Sequence, residues 1–130
     1  MSKAISNKKF IAVIAVITLV AILGVCLVAC NADSVGNKLK NKDYRVVTLT
    51  ENTGSDGKLI YNAAKRISDF KEGVWATKGK NYVAVIWYET LDAAKEAEES
   101  FKTMTLLTPA VHRYEKIVYA GTEQGVKDAR

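Results

Sequence analysis

The side chains that could do covalent or metal chemistry in this sequence are few. Cys26 and Cys30 both lie near the end of a long apolar run, and the chain has no other cysteine. No disulfide can therefore cross-link the rest of the chain, and His112 alone cannot supply a Cys/His metal set. This single histidine, next to Arg113, is expected to be a surface or core residue and not a ligand or base. The sequence predicts no metal and no cofactor.

Other catalytic patterns are also missing from the sequence. Glu96, Glu98 and Glu99 alternate with lysines along one predicted helix, which is typical of a solvated, salt-bridged face. Residues 51–58, ENTGSDGK, contain glycine and lysine but lack the spacing of a phosphate-binding loop. No base is placed in the sequence to activate a serine or threonine. We therefore expect that this protein is not an enzyme.

The first 30 residues have the pattern of an export segment. Lys3, Lys8 and Lys9 precede an apolar run over residues 10–30. A basic start holds that end in the cytoplasm, so the residues after the run are expected outside. The run has about 20 residues, enough for a helix across roughly 30 Å of hydrocarbon. It is longer than the roughly 7–15 apolar residues of an ordinary signal core.

The run ends in Leu27, Val28, Ala29 and Cys30, a branched apolar residue, a tolerant position, a small residue and a cysteine. These four residues resemble the lipobox of bacterial lipoprotein precursors. The resemblance implies that the Cys30 thiol receives a diacylglyceryl group and that cleavage falls between Ala29 and Cys30. It further implies a signal peptide over residues 1–29 and a protein that membrane lipid anchors on the extracytoplasmic side of the cell membrane.

Two other readings of the N-terminus stay open. The length of the run favours an uncleaved single-pass anchor over residues 10–30, and ordinary secretion would instead cleave after Ala32. Cys26 is a competing lipidation site, but the branched Val25 before it fits the lipobox poorly, so Cys26 is interpreted as an ordinary helix residue. All three readings put the folded part outside the cytoplasmic membrane.

The positive charge of the chain is concentrated in the export segment. The net charge is +5, and three lysines with no acid lie ahead of the apolar run. The remaining sixteen basic and fourteen acidic residues are interspersed, so no basic stripe favours nucleic acid. Residues 37–45, NKLKNKDYR, are the one local bias. They are interpreted as a solvated linker, with attraction to anionic lipid head groups as the alternative.

Cleavage before Cys30 would leave 101 of the 130 residues, enough for one modest core. Residues 30–43 are polar and without periodicity, which indicates a tether, and residues 44–130 are predicted to form one small α+β domain. Its predicted elements are a strand over 44–50, a helix over 58–70 capped by Ser55 or Asp56, a hairpin with arms 73–77 and 82–89, a helix over 91–104 capped by Thr90, a strand over 114–121 and a short terminal helix capped by Thr122.

This order, strand, helix, strand, strand, helix, strand, is the split βαββαβ pattern of ferredoxin-like folds. It predicts an antiparallel sheet with two helices on one face and a short C-terminal helix, preceded by the N-terminal apolar helix. The strand from Tyr82 carries apolar side chains on both faces, so something is expected to cover the second face. The C-terminal helix, a second copy of the chain and a ligand are the candidates.

Aromatic residues of the predicted hairpin are the candidate binding surface. Trp75 and Trp87 lie on adjacent arms and could stack across it, as a core pair or, with Tyr82 or Tyr88, as a recognition surface. We expect a lipid-anchored extracytoplasmic binding or interaction module that uses the open sheet face or an edge strand. The alternative is a structural or assembly protein that forms a homodimer through that face.

Overall fold

The computed structural model describes residues 31–130. The predicted signal peptide, the lipobox and the apolar helix lie outside these residues. Within the described part, the helices are α1 (Ala32–Lys40), α2 (Gly54–Arg66), α3 (Leu91–Thr103) and α4 (Glu123–Ala129), and the strands are β1 (Arg45–Thr48), β2 (Phe70–Lys78), β3 (Asn81–Tyr88), β4 (Ala110–Tyr114) and β5 (Ile117–Gly121). None of these four helices is long and apolar enough to cross a bilayer.

The strands form one five-stranded sheet in the order β1-β2-β3-β5-β4, and every pairing is antiparallel. The predicted α+β class and antiparallel sheet are confirmed. The strand order departs from the split βαβ pattern, in which a helix links two parallel strands. Here β1 instead pairs with β2 at one edge, and a hairpin of β4 and β5 completes the other side.

The β4–β5 hairpin was predicted as one strand over 114–121. Its two-residue turn consists of Glu115 and Lys116, with Glu115 in the left-handed region at φ 55°. Such turns usually carry Asn, Asp or Gly, so this sequence gives no turn signal. By contrast, the predicted β2–β3 turn is confirmed, and its Gly79 has a φ of 59°.

Helices cover both faces of the sheet within this single chain. The face that we call the α2 face packs on α2 and α3, where Ile60, Ala64 and Phe101 are fully buried. The opposite α1 face packs on α1 and α4, where Leu39 and Val126 are buried. The second face therefore has its cover, and the predicted C-terminal helix supplies only half of it.

The other half of that cover comes from residues predicted as a polar tether. Residues 32–40 form α1, so the prediction of an irregular tether is wrong there. Asn31 caps the helix, since its side chain accepts a hydrogen bond from the Ser34 N–H at 2.9 Å. Val35 and Leu39, one turn apart, are 4% and 0% exposed and fix the helix to the sheet.

The predicted caps are partly confirmed. Thr90 accepts from the Ala93 N–H and Thr122 accepts from the Gly125 N–H, each as an N-cap side chain. Ser55 and Asp56 do not cap α2, because the helix begins earlier, at Gly54. The preceding Thr53 donates its hydroxyl to the Thr50 carbonyl.

Candidate functional site

The two tryptophans lie on opposite faces of the sheet. Trp75 is paired with Ala84 and belongs to the core of the α2 face, whereas Trp87 is paired with Glu72 and belongs to the core of the α1 face. Side chains alternate between faces along a strand, so this register separates the two rings. The expectation that they stack across the hairpin is wrong, and no single surface unites the predicted aromatic residues.

Tyr88 is a core residue of the α2 face and is 2% exposed. Its hydroxyl donates to the Ala64 carbonyl at 3.0 Å, and its ring makes an edge contact with Phe70, with 6.2 Å between ring centroids. Burial, followed by the charge of Glu96, raises the pKa of this hydroxyl above its usual range. Tyr88 therefore packs in the core and has almost no exposed surface.

Trp75 and Tyr82 are the two predicted residues that do come together. Their ring centroids lie 5.3 Å apart at 35°, and the Tyr82 hydroxyl donates to the Leu107 carbonyl. Burial, followed by the charge of Asp56, raises the pKa of Tyr82. Helix α2 approaches Trp75 closely, since a Cβ placed on Gly57 would lie 3.1 Å from Trp75 Cε2. The indole is therefore held between the sheet and the start of α2.

The free side of β1, which we call the β1 edge, presents unpaired backbone groups. The Leu49 N–H donates to the Gly73 carbonyl at 2.8 Å, which marks that pair as hydrogen-bonded. Such pairs occur at every second residue of an antiparallel ladder, so Arg45 and Val47 bond to β2. The N–H and C=O groups of Val46 and Thr48 therefore point away from the sheet, where an added strand could pair with them.

One cavity, of about 350 Å³, lies beside the β1 edge on the α2 face. Trp75 and Val47 give it apolar walls, Arg45 adds a positive charge, and threonines of the loop before α2 add hydroxyls. The Trp75 nitrogen makes no hydrogen bond within residues 31–130 and is not fully buried. The cavity thus combines an aromatic wall with a guanidinium.

A second cavity, of about 500 Å³, lies beside the same edge on the α1 face. Asp33, Asn37 and Lys40 of α1 form one wall, and Glu72 and Val74 of β2 form the other. This cavity is the more polar of the two and carries charges of both signs. Sequence reasoning missed it because it depends on α1, although the Asn31 cap and the apolar pair one turn apart were the available signals.

His112 takes no part in either cavity. It lies half-buried on β4, with its ring centroid 5.8 Å from that of Tyr119. Burial lowers its pKa, the charges of Arg130 and Arg113 lower it further, and Glu98 only partly opposes them. The neutral imidazole is therefore favoured at neutral pH. Across residues 31–130, no group of His, Cys, Asp and Glu side chains could hold a metal ion.

Comparison with known proteins gives no relative from which a function could be transferred. No protein-family model, no curated protein and no solved structure matches this chain.

Proposed function

We propose that this chain is a non-enzymatic binding module, anchored by lipid on Cys30 at the extracytoplasmic side of the cell membrane, that binds an extended polypeptide at the β1 edge. The main support is the position of two cavities on opposite sides of one edge strand. A polypeptide that adds to a sheet gains affinity from main-chain hydrogen bonds and specificity from pockets for alternate side chains. The β1 edge offers both.

The chemistry of the two cavities defines the polypeptide. Side chains that point to the α2 face would meet Trp75 and Val47, with Arg45 beside them, so apolar or aromatic residues fit there. Side chains that point to the α1 face would meet Asp33 and Lys40, so polar residues fit there. The partner is therefore an extended segment in which apolar and polar residues alternate.

A foreign segment fits the β1 edge better than a second copy of β1. The strand has only four residues, so pairing two copies would bury far less than the roughly 1,000 Å² expected of a stable interface. The side chains that such a pairing could insert include Val46, Val47 and Thr48, which are small for cavities of about 350 and 500 Å³. The homodimer through an open sheet face also loses its support, because helices cover both faces of the described sheet.

The experiment is peptide selection against the whole chain, followed by two substitutions at one position. Thr48→Pro removes the outward N–H from an exposed edge residue, where proline is tolerated, and Thr48→Val keeps that N–H. Peptides selected from a displayed random library should bind the wild type and Thr48→Val and should lose at least about tenfold in affinity for Thr48→Pro. The selected peptides should alternate apolar and polar residues.

Two results would contradict this function. Unchanged binding of the selected peptides to Thr48→Pro would exclude main-chain pairing at the β1 edge. A chain that selects no peptide and forms a dimer by light scattering, with monomers restored by Thr48→Pro, would assign the edge to self-assembly. Circular dichroism of both variants would verify that they keep the fold.

A further inference from the structure

Basic side chains are unevenly distributed over the folded part of this chain. Seven of them gather around the end of α1, the β2–β3 turn and the end of α4, and only Asp43 and Asp128 accompany them. This group has a net charge of +5, whereas the other nine basic and twelve acidic residues after residue 30 sum to −3. We call the group the basic patch; its basic members are Lys38, Lys40, Lys42, Lys78, Lys80, Lys127 and Arg130.

Hydrogen bonds between distant segments hold the basic patch together. Lys42 Nζ donates to the Asp128 carbonyl at 2.8 Å, and Lys78 Nζ donates to the Lys42 carbonyl at 2.9 Å. Lys38 Nζ donates to the Arg130 carbonyl. The acceptors of the Lys42 and Lys78 bonds are neutral backbone carbonyls, so these two bonds fix the positions of the ammonium groups without cancelling their charge.

The one carboxylate at the centre of the basic patch is already engaged. Asp128 accepts hydrogen bonds from the Tyr44 hydroxyl at 2.7 Å and from the Gln124 amide at 2.9 Å. These bonds and the nearby Lys42 and Lys78 lower the pKa of Asp128, so it stays ionised. The two aspartates of the basic patch, Asp43 and Asp128, are outnumbered by its seven basic side chains, which leaves a cationic surface for an external anion.

The basic patch and the lipobox cysteine are connected by α1 alone. The helix begins one residue after its cap, Asn31, which directly follows Cys30. Its nine residues span about 13 Å, and the described fold begins at the residue after Cys30. A chain held at residue 30 with α1 along the membrane plane therefore brings Lys38 and Lys42 to the head groups.

We propose that the basic patch binds anionic lipid head groups of the membrane that holds the chain. Basic residues near an anionic surface each strengthen association by about fivefold, in addition to the anchoring by the two acyl chains of a diacylglyceryl group. Helices α1 and α4 then lie against the membrane, and the α2 face, with its Trp75 cavity, points away. This inference rests on the membrane location in the proposed function but not on the β1 edge or on acylation as such.

The test is lysine acetylation of the full chain reconstituted in vesicles, read residue by residue by mass spectrometry. In vesicles of phosphatidylcholine with phosphatidylglycerol, Lys80 and Lys127 should react about fivefold more slowly than in phosphatidylcholine alone, and high salt should remove the difference. Lys58, Lys95 and Lys116, exposed outside the basic patch, are the internal controls and should react equally in both.

Charge reversal supplies the matched variants. The double variant Lys80→Glu with Lys127→Glu should remove the protection of Lys38 from acetylation. The control Lys58→Glu with Lys95→Glu makes the same change in net charge and should leave Lys38 protected. The inference would be overturned if Lys80 and Lys127 reacted equally slowly in neutral and anionic vesicles. It would also be overturned if anionic vesicles slowed the control lysines as much as Lys80 and Lys127. Protection by inorganic phosphate in neutral vesicles would overturn it too, in favour of a discrete phosphate site. If a chain without acyl label still showed lipid-dependent protection, the acyl anchor would be disproved and the binding of lipid head groups by the basic patch would stand.

Discussion

Tyr44 is the residue that ties the start of the sheet to the C-terminal helix. Its ring is 4% exposed, its hydroxyl bonds Asp128 and Lys78 Nζ lies 5.7 Å from its ring centroid. Burial, then the hydrogen bond and the charge of Asp128, raises the pKa of Tyr44 to about 12. The hydroxyl therefore keeps its proton, and donates to the ionised Asp128, throughout the neutral pH range.

We expect removal of the Tyr44 hydroxyl to lower the stability of the fold in a pH-dependent way. Tyr44→Phe keeps the ring and should lower the free energy of unfolding by about 1 kcal/mol at neutral pH, because a hydrogen bond to a charged group is lost. The pKa of Asp128 is lowered below its ordinary 3.8, so its contribution is present above that value and disappears as pH falls through the folded-state pKa. The deficit of Tyr44→Phe should therefore shrink below about pH 4.

Urea unfolding from neutral pH to below about pH 4 measures the difference in the free energy of unfolding between Tyr44→Phe and the wild type. Tyr114→Phe is the matched control, because Tyr114 is 55% exposed and its hydroxyl has no partner within residues 31–130; it should change stability by less than about 0.5 kcal/mol. Equal losses in the two variants, or a Tyr44→Phe deficit that persists in acid, would show that the Tyr44–Asp128 bond does not stabilise the fold.

Residue types could be predicted from the sequence better than their contacts. Thr90 and Thr122 were predicted as caps and are caps, since an N-cap is a local feature of three or four residues. The predicted stacking of Trp75 on Trp87 is wrong, because it depended on the register of two strands. A register shift of one residue moves a side chain to the other face, and no local signal fixed it here.

At the scale of elements, α1 decides whether the α1 face is covered. Its residues are mostly polar, and only Val35, Gly36 and Leu39 are buried, so it carries too few apolar positions to give a clear period. Its helical state depends on the sheet beneath it, where a Cβ on Gly36 would lie 3.4 Å from Val46 Cγ1. The predicted tether was wrong because tertiary packing, and not propensity, stabilises this helix.

Leu39→Ala tests whether α1 is part of the folded unit. Leu39 is fully buried, so this substitution should lower the free energy of unfolding by about 2–4 kcal/mol. Leu106→Ala is the control, since Leu106 is 98% exposed, and it should cost less than about 0.5 kcal/mol. Thermal unfolding followed by tryptophan fluorescence gives both values. A Leu39→Ala chain as stable as the wild type would mean that residues 32–40 are a tether after all.

The strands of the sheet were predictable where a local turn signal separates them. The β2–β3 hairpin has a glycine in its turn and strong apolar arms, and β3 was predicted to within one residue at each end. The start of β2 was wrong, because the strand begins at Phe70, three residues before the predicted arm and inside the predicted helix over 58–70, which ends at Arg66. The β4–β5 turn uses Glu115 and Lys116, which carry no turn signal, so β4 was missed and the strand order with it. The β1 edge could be named from the sequence only as one edge strand among several.

At the scale of the whole molecule, the fold leaves little distance between the lipobox and the domain. The first capped residue of the fold, Asn31, is the neighbour of Cys30. A lipid on Cys30 would therefore hold the domain against the bilayer, with the basic patch as a second contact and the β1 edge available at the side. The proposed location of the protein depends on this acylation more than on any other step.

Metabolic labelling with a tagged fatty acid in a bacterium tests the acylation of Cys30. We expect label on the wild type and on Cys26→Ala, no label on Cys30→Ala, and a mature mass that begins at Cys30. Absence of label from all three chains, with the uncut mass retained in membranes, would contradict the lipid anchor. Residues 10–30 would then act as a spanning helix, and Cys30 would be an ordinary thiol at its end.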